Sequence, residues 1–244
     1  MKDTLRINEI FLSVQGESSF AGLPCIFVRL TGCNLRCSYC DTAYAFTEGT
    51  HKTLDEVISQ ITTMAAPYRR FGDCHQLPLV EITGGEPLLQ HPVFGLLTRL
   101  CKLKYTVLLE TNGACDISKV DPRVHRIVDL KCPGSGESEA NLLSNIQELK
   151  STDEVKFVIG SEEDYQWSIK MVADYQLQNL CTILFSWAAP LPAECQYPCL
   201  KAAPAHHHPL SMRQLADKII QDALPVRFQT QLHKIIWPPA MRGV

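Results

Sequence analysis

The sequence predicts an α/β fold, an incomplete, open (β/α) barrel. Strand-like runs and helical patterns alternate along most of the 244 residues, and this alternation gives a parallel sheet with helical crossovers. Six or seven such strands can be counted, fewer than the eight of a complete barrel. No linker divides the chain, and one barrel domain commonly reaches this length. We therefore expect a single domain over residues 1–244.

Each element follows from a local pattern. The expected strands are 25–30, 77–83, 105–111, 126–131, 154–159, 182–187 and 226–232. Helices are expected over 53–65, 92–102 and 141–150, after Ser161 and after Ser211. Thr53 with Glu56, and Ser211 with Gln214, have the spacing of capping boxes. The Ser211 helix is expected to place one apolar face on the sheet, formed by Met212, Leu215, Ala216, Ile219, Ile220 and Ala223.

Residues 188–210 interrupt this alternation. Five prolines in the segment exclude a helix and predict a long loop insertion. The loop contains Cys195, Cys199 and His206, which could bind a second metal. We expect these three side chains to be dispensable, because a Pro-rich insertion rarely holds ligands rigidly.

The composition excludes several classes of protein. Hydrophobic residues make up 45% and charged residues 20% of the chain, as in ordinary globular domains. A net charge of −3 argues against broad nucleic-acid binding, and no apolar run has the length of a membrane span. The N-terminus has no apolar signal segment. Eleven cysteines without such a signal indicate a reducing compartment, so a cytoplasmic protein is expected.

Three cysteines form one short run, Cys33, Cys37 and Cys40, with the spacing C-x3-C-x2-C. The run follows the 25–30 strand and is expected in a loop at its carboxyl end. A [4Fe–4S] cluster prefers four ligands, so three thiolates leave one iron open to a substrate or cosubstrate. A structural zinc site is the alternative, and Asp41 or a distant histidine could supply its fourth ligand. The spacing therefore predicts a metal site and leaves both kinds open.

Polar residues follow three expected strands at their carboxyl ends. In the run 83–87, two glycines let a ligand approach the backbone, and Glu86 adds an acceptor. The runs 110–113 and 129–134 follow the next two strands. These ends meet at one mouth in parallel α/β folds. Considered alone, the glycines could form a simple turn and Lys131 could be an exposed strand-end lysine.

The cysteine run, with Tyr39 before its third cysteine, resembles the signature of the radical S-adenosylmethionine (SAM) superfamily. The Gly-Gly-Glu-Pro run resembles the superfamily motif that grips the SAM amino group. Nearly the whole chain resembles one family within it, the 7-carboxy-7-deazaguanine synthases. The segments that carry this resemblance are 15–17, 33–42, 84–87, 110–113, 153–159 and 232–234. Ser18 and Ser19 depart from the family pattern, in which a glycine commonly follows Gln-Gly-Glu.

The resemblance implies a reaction and its cofactors. A radical formed from SAM at a [4Fe–4S] cluster would act on 6-carboxy-5,6,7,8-tetrahydropterin, whose ring contracts with loss of ammonia, in queuosine and 7-deazapurine biosynthesis. Thr42 would bind Mg²⁺ at the substrate carboxylate. SAM would contact Tyr39, Cys40, Asp41, Gly84, Gly85, Glu86, Asp129, Leu130, Lys131 and Ser186. The pterin would contact Val14, Gln15, Gly16, Arg29, Thr83 and His233, the last near the end of the final strand.

Two other functions share parts of this pattern. A glycyl-radical-enzyme activase has the same cysteine loop and Gly-Gly-Glu-Pro run, but it acts on a large protein. A zinc- or cluster-binding module without catalysis is the second alternative. For the synthase, we expect a reductant such as flavodoxin or ferredoxin, a homodimer, and no nucleic-acid or membrane partner.

Overall fold

The computed structural model describes residues 3–71, 77–238 and 241–244, which contain one nine-stranded sheet. The strands are β1 (Thr4–Val14), β2 (Pro24–Leu30), β3 (Thr50–Thr53), β4 (Leu79–Gly84), β5 (Val107–Thr111), β6 (His125–Asp129), β7 (Glu154–Ile159), β8 (Thr182–Trp187) and β9 (Arg227–Gln229). Their spatial order is β3-β1-β2-β4-β5-β6-β7-β8-β9.

Seven of these strands, β2 and β4 to β9, run parallel to their neighbours in that series. Strand β1 is antiparallel to both β2 and β3. Among the described strands the two edges, β3 and β9, do not pair with each other, so the sheet stays open. The expected incomplete barrel and its parallel strands are confirmed.

The α-helices lie between strands and after the last one. They are α1 (Leu54–Ala65), α2 (Val93–Lys102), α3 (Glu162–Asp174), α4 (Met212–Gln221) and α5 (Leu232–Ile236). Both predicted capping boxes are present. The Glu56 amide donates to Thr53 Oγ1 over 3.3 Å while the Glu56 carboxylate accepts from the Thr53 amide, and Gln214 and Ser211 repeat the pattern at α4. None of the helices in the described residues is long and apolar enough to cross a lipid bilayer.

The two faces of the sheet differ in chemistry. Outward residues such as Ile26, Val80 and Leu109 join the helices in the main hydrophobic core. Inward residues form a small apolar cluster at the amino ends of the strands, which includes Leu79 and Leu108. Side chains alternate between the two faces of the sheet along each strand. Further along the same strands, the side chains on the inward face are polar. This inward polar part forms the cavity described below.

The predicted helix over 141–150 is wrong. Residues Leu143–Glu148 form only 3-10 turns. The reason is Asn145, which is buried and bonds to the preceding loop instead of facing solvent. Its Nδ2 donates to the carbonyls of Gly113 and Cys115, over 3.2 and 2.8 Å, and this competes with regular helical hydrogen bonding.

The C-terminal elements also differ from expectation. Only Arg227–Gln229 pairs with β8, and the chain then turns into helix α5, so His233 lies on a helix and not on a strand. The Leu232 amide donates to the carbonyl of Gly16, which draws α5 towards the end of β1. On α4, Leu215 and Ile219 are buried, but Ile220 is 75% exposed and does not belong to the packing face.

The expected strands did not include β1 and β3, which form the antiparallel edge. The predicted insertion at 188–210 is irregular apart from one 3-10 turn, Ala193–Cys195. It contacts the cysteine loop, since the Lys201 amide donates to the Arg36 carbonyl over 2.9 Å.

Candidate active site

A cavity opens at the carboxyl ends of β2, β4, β5, β6 and β7, where the sequence places its polar clusters. Its volume, counted with the open mouth, is about 1280 Å³. The predicted site residues in its lining are Val14, Gln15, Gly16, Arg29, Cys33, Cys37, Tyr39, Cys40, Asp41, Thr42, Thr83, Gly84, Gly85, Asp129, Lys131 and His233. Predicted residues outside the lining are Glu86, Leu130 and Ser186. The cavity thus brings the cysteine run, the glycine pair and most of the other predicted contacts to one place.

The cysteine loop (residues 30–41, beginning at the last residue of β2) forms one wall of the cavity. Cys33, Cys37 and Cys40 all line it, and Cys37 is buried. The Leu35 amide donates to Cys33 Sγ over 3.4 Å, and Asn112 Nδ2 lies 3.8 Å from the same sulfur. Burial raises the pKa of each thiol, that of Cys40 to about 11. Metal binding must therefore displace protons from these sulfurs.

The three thiols also bear on the kind of metal site that this wall can hold. Zinc needs its ligands around one atom. A [4Fe–4S] cluster takes each thiolate on a separate iron, so its ligands remain apart. The three thiols on one wall, with amide donors at Cys33 Sγ, fit a cluster.

The glycine pair meets this loop directly. A Cβ on Gly84 would lie 2.4 Å from the Leu30 carbonyl oxygen, and one on Gly85 would lie 2.3 Å from the Gly32 carbonyl oxygen. The Glu86 amide donates to the same Gly32 carbonyl over 2.8 Å. The sequence analysis expected these glycines to admit a ligand. They also admit the backbone of the cysteine loop, because no side chain fits between the two segments.

The Glu86 side chain points away from the cavity and is fully buried. Its Oε1 accepts from the Leu88 amide over 2.9 Å. Its Oε2 accepts from Thr111 Oγ1 over 2.9 Å and from the Asn112 amide over 2.7 Å. Glu86 therefore joins the turn after β4 to the end of β5.

Unpartnered polar atoms mark the other side of the cysteine loop. Tyr39 Oη, Asp129 Oδ1 and Ser186 Oγ are buried and make no hydrogen bond within the described part of the chain. Asp129 Oδ2 accepts from Lys131 Nζ over 2.7 Å. Leu130 between them belongs to the outward core. The free Tyr39 and Asp129 oxygens line the cavity and can bind a polar cosubstrate, whereas Ser186 lies behind the lining.

Asp41 and Thr42 follow the third cysteine and face helix α5. Asp41 Oδ2 lies 2.7 Å from Lys234 Nζ and 3.8 Å from His233 Nε2. Burial opposes the ionisation of Asp41, but the Lys234 ammonium and the His233 side chain outweigh it and hold the pKa of Asp41 well below its usual range. Thr42 Oγ1 lies 3.7 Å from Cys40 Sγ and lines the cavity. The Thr42 hydroxyl is thus available to a ligand next to the cysteine loop.

Arg29 lies on β2 and is paired already. Its Nε donates to Glu9 Oε1 over 2.7 Å, and the Tyr44 hydroxyl donates to the same oxygen over 2.8 Å. One edge of the guanidinium remains for the cavity, which Arg29 lines. That edge can bind an anion.

A buried charged layer, formed by Glu17, Glu81, Glu110 and Lys156, was missed by the sequence analysis as a site. All four residues line the cavity. Lys156 Nζ bonds to Glu17 Oε2 over 2.7 Å and to Glu110 Oε1, and it lies 3.7 Å from Asp129 Oδ2. Thr83 Oγ1 donates to Glu110 Oε2 over 3.1 Å. The layer thus connects the end of β1 to strands β4, β5, β6 and β7.

The charges of this layer hold one another in place. Burial opposes ionisation of Glu17, yet Lys156 lowers the pKa of Glu17 to about 2. Burial also opposes the charge on Lys156, but Glu110, Glu17 and Asp129 raise its pKa well above the usual value. The sequence did contain a signal, since Lys156 and Glu81 are charged residues inside strands that are otherwise apolar. Such residues are almost never fully buried unless paired.

Comparison with known proteins agrees with this geometry. The family model of the radical SAM superfamily matches residues 27–132. A 7-carboxy-7-deazaguanine synthase from Chlorobaculum tepidum is 44% identical over 243 residues, 98% of this chain and 97% of that protein. One from Koribacter versatilis is 39% identical over 242 residues, 98% of this chain and all of that protein. A crystal structure of QueE from Escherichia coli superposes with a TM-score of 0.63 at 21% identity, over 93% of this chain and 94% of that one.

Proposed function

The chain belongs to the 7-carboxy-7-deazaguanine synthase family of radical SAM enzymes, and we propose that it forms 7-carboxy-7-deazaguanine from 6-carboxy-5,6,7,8-tetrahydropterin. The observation that carries the proposal is the shared cavity, which has the three-thiol wall on one side and the charged layer on the other. A superfamily match alone gives SAM chemistry. The full-length relatives make a synthase the better account than an activase or a non-catalytic module.

The cysteine wall would hold a [4Fe–4S] cluster through Cys33, Cys37 and Cys40. SAM would lie beside it, near Tyr39 Oη and Asp129 Oδ1, which are buried and make no hydrogen bond in the described residues. When bound, the reduced cluster and SAM supply the radical that removes hydrogen from the substrate. The chain itself orients both molecules and limits the access of water, because its wall and floor are largely buried.

The charged layer and the end of β1 would bind the pterin. A reduced pterin carries several N–H donors on one edge, and Glu17 and Glu110 present acceptors in the cavity. The backbone at Val14 to Gly16, Thr83 and His233 lines the same region. The free edge of Arg29 would bind the substrate carboxylate. These contacts would hold the substrate with its carboxylate towards the cysteine wall.

Mg²⁺ would lie at Thr42, which is adjacent to the third thiol. Mg²⁺ prefers hard oxygen ligands and keeps several waters, so the Thr42 hydroxyl and the substrate carboxylate suffice as its other ligands. We also propose a homodimer in the cytoplasm, with flavodoxin or ferredoxin as electron donor. The whole chain would form a single radical SAM domain, with the 188–210 segment as its insertion.

One experiment tests the proposed function. Anaerobically reconstituted, reduced protein is incubated with carboxytetrahydropterin, SAM and Mg²⁺, and the deazapurine is measured by liquid chromatography with mass spectrometry. We expect product together with release of ammonia. If SAM is cleaved but no deazapurine forms with the pterin, the substrate assignment is wrong and the SAM site remains correct.

A further inference from the structure

Glu81 is a buried carboxyl group that forms no ion pair within the described residues. It lies on β4, faces the cavity and is 1% exposed. Its Oε2 accepts a hydrogen bond from Gln15 Nε2 over 2.9 Å. The neighbouring ammonium of Lys156 is already bonded to Glu17 and Glu110. The function of Glu81 must therefore be sought in its hydrogen bond to Gln15 and not in an ion pair.

The Gln15 side chain connects Glu81 to the turn that follows β1. Gln15 Oε1 accepts from the amides of Glu17 and Ser18, over 2.8 and 3.0 Å. Both ends of this amide are thus used, one on strand β4 and one inside the turn. Any shift of Glu81 is transmitted through Gln15 to the backbone that carries Glu17.

Other contacts hold the same turn, which we call the substrate turn (residues 15–19). Lys156 holds the Glu17 carboxylate, and the Glu154 carboxylate accepts from the amide and hydroxyl of Ser19. Gln229 Nε2 donates to the Ser18 carbonyl over 2.8 Å. Ser19, where this chain departs from the family pattern, is therefore part of the anchoring. The turn has attachment points on β4, β7 and β9.

The groups that face Glu81 favour its neutral form. Glu110 from β5 and Glu17 from the substrate turn are like charges, and Lys156 from β7 is the nearby cation. Cys25 from β2 is a thiol whose pKa is raised far above neutrality by burial and by Glu81 itself. Burial and Glu110 raise the pKa of Glu81 to about 8, although Gln15 and Lys156 oppose this. An ionised Glu81 would compete with Glu17 and Glu110 for Lys156.

We propose that Glu81 is a positioning residue of the pterin site, which in its neutral form fixes the substrate turn through Gln15 and leaves Lys156 to Glu17 and Glu110. This inference rests on the proposed function, because it assigns the turn to substrate binding. When Glu81 ionises, it displaces the Glu17 carboxylate from Lys156. Glu17 is displaced and Glu110 is not, because Glu17 lies on a turn whereas Glu110 lies on a strand. Substrate affinity then falls with rising pH, and SAM binding does not.

The test measures the KM for the pterin from pH 6.5 to 9 at saturating SAM, in wild type, Glu81→Gln and Glu81→Leu. The Glu81→Gln substitution introduces a neutral isostere that keeps an acceptor for Gln15. In wild type, we expect KM to rise about tenfold per pH unit above the pKa of Glu81, since only the neutral fraction binds well. In Glu81→Gln the KM should stay flat across this range. In Glu81→Leu it should be raised several-fold at every pH, because Gln15 Nε2 loses its acceptor.

Glu163→Gln is the matched control, since Glu163 on α3 bonds to His208 of the loop and does not line the cavity. It should titrate like wild type, which also accounts for any titration of SAM or of the pterin. The inference is overturned if Glu81→Gln keeps the wild-type rise, or if Glu81→Leu loses thermal stability while its KM is unchanged. If wild type fails to convert the pterin at all, the proposed function fails instead. If Glu81→Leu does not fold, the Glu81→Gln profile alone decides.

Discussion

The cysteine loop and the charged layer face each other across one cavity and are built in opposite ways. The loop takes its three thiols from a single run of eight residues and is placed by backbone contacts to Gly84 and Gly85. The layer takes its charges from residues between 17 and 156, on a turn and three different strands. The first is a local motif and the second exists only after the sheet has formed.

The cysteine loop and the charged layer also differ in their electrostatics. The thiols are neutral until metal binds, because burial raises their pKa. In the layer, Lys156 is paired with Glu17 and Glu110 and lies near Asp129 before any ligand binds. A change in the loop should therefore remove one cofactor and leave the fold intact. A change in the layer should affect stability and substrate together.

The largest expected effect is on the loop side. Cys37→Ala removes a thiolate ligand, so the reconstituted protein should lose its iron–sulfur absorbance and all cleavage of SAM. Circular dichroism should still show the wild-type fold. Cys199→Ala is the control, since Cys199 is an exposed thiol of the 188–210 loop, and it should keep both cluster and turnover. A Cys37→Ala protein with a full iron content would contradict the assigned ligands.

The next effect is on the layer side. Lys156→Met leaves Glu17, Glu110 and Asp129 without their shared cation, and removing one partner of a buried pair costs about 3–5 kcal/mol. Chemical denaturation should show this loss, and pterin turnover should be absent while iron content is retained. Lys170→Met removes an exposed lysine paired with Asp174 and should change stability by less than about 0.5 kcal/mol.

The same variant has a defined pH dependence. The pKa of Glu17 is lowered from 4.5 to about 2 in the folded protein. Ionised Glu17 therefore stabilises the fold above about pH 4.5, and this contribution is lost as the pH falls towards 2. The gap in unfolding free energy between wild type and Lys156→Met should be widest near neutrality and should narrow in acid. A constant gap across that range would show that Lys156 acts by packing alone.

A smaller effect is expected where the two regions meet at Arg29. Arg29→Ala removes a charged hydrogen-bond donor, typically about 1.5–3 kcal/mol, so the KM for the pterin should rise at least about tenfold. If the contact is equal in ground and transition states, kcat changes little. SAM cleavage without pterin should persist. A low kcat at unchanged KM would assign Arg29 to the chemical step.

The smallest effect should come from Thr42→Ala. A water can replace the lost hydroxyl in the shell of Mg²⁺, so turnover should fall only several-fold, and most strongly at limiting Mg²⁺. Thr111→Ala provides a comparison, since that buried hydroxyl bonds to Glu86 and not to the proposed metal. Its turnover should show the Mg²⁺ dependence of wild type. Full activity of Thr42→Ala at limiting Mg²⁺ would remove Thr42 from the metal site.

Features that depend on local sequence could be predicted, and features that depend on contacts between distant residues could not. The seven parallel strands and the thiol wall were expected because hydrophobic runs, caps and ligand spacing are local. The 141–150 helix was wrong because the side-chain bonds of Asn145 depend on a loop some 30 residues away in sequence. The placement of His233 on a strand was wrong for the same reason, since the chain turns into α5 after it pairs with β8. The pairing of Lys156 with Glu110 could not be predicted, because the two residues come together only when β5 and β7 lie in one sheet.

The contact between the glycine pair and the cysteine loop has a consequence for distance. Electron transfer and hydrogen abstraction both fail when donor and acceptor move apart by a few ångströms, and side chains change rotamer on fast timescales. Here the wall that carries the thiols rests on main-chain atoms of β4, with no side chain between them. The separation between the thiols and the strand that lines the substrate region is therefore set by direct packing of one main chain on another, which side-chain rotamer changes do not alter.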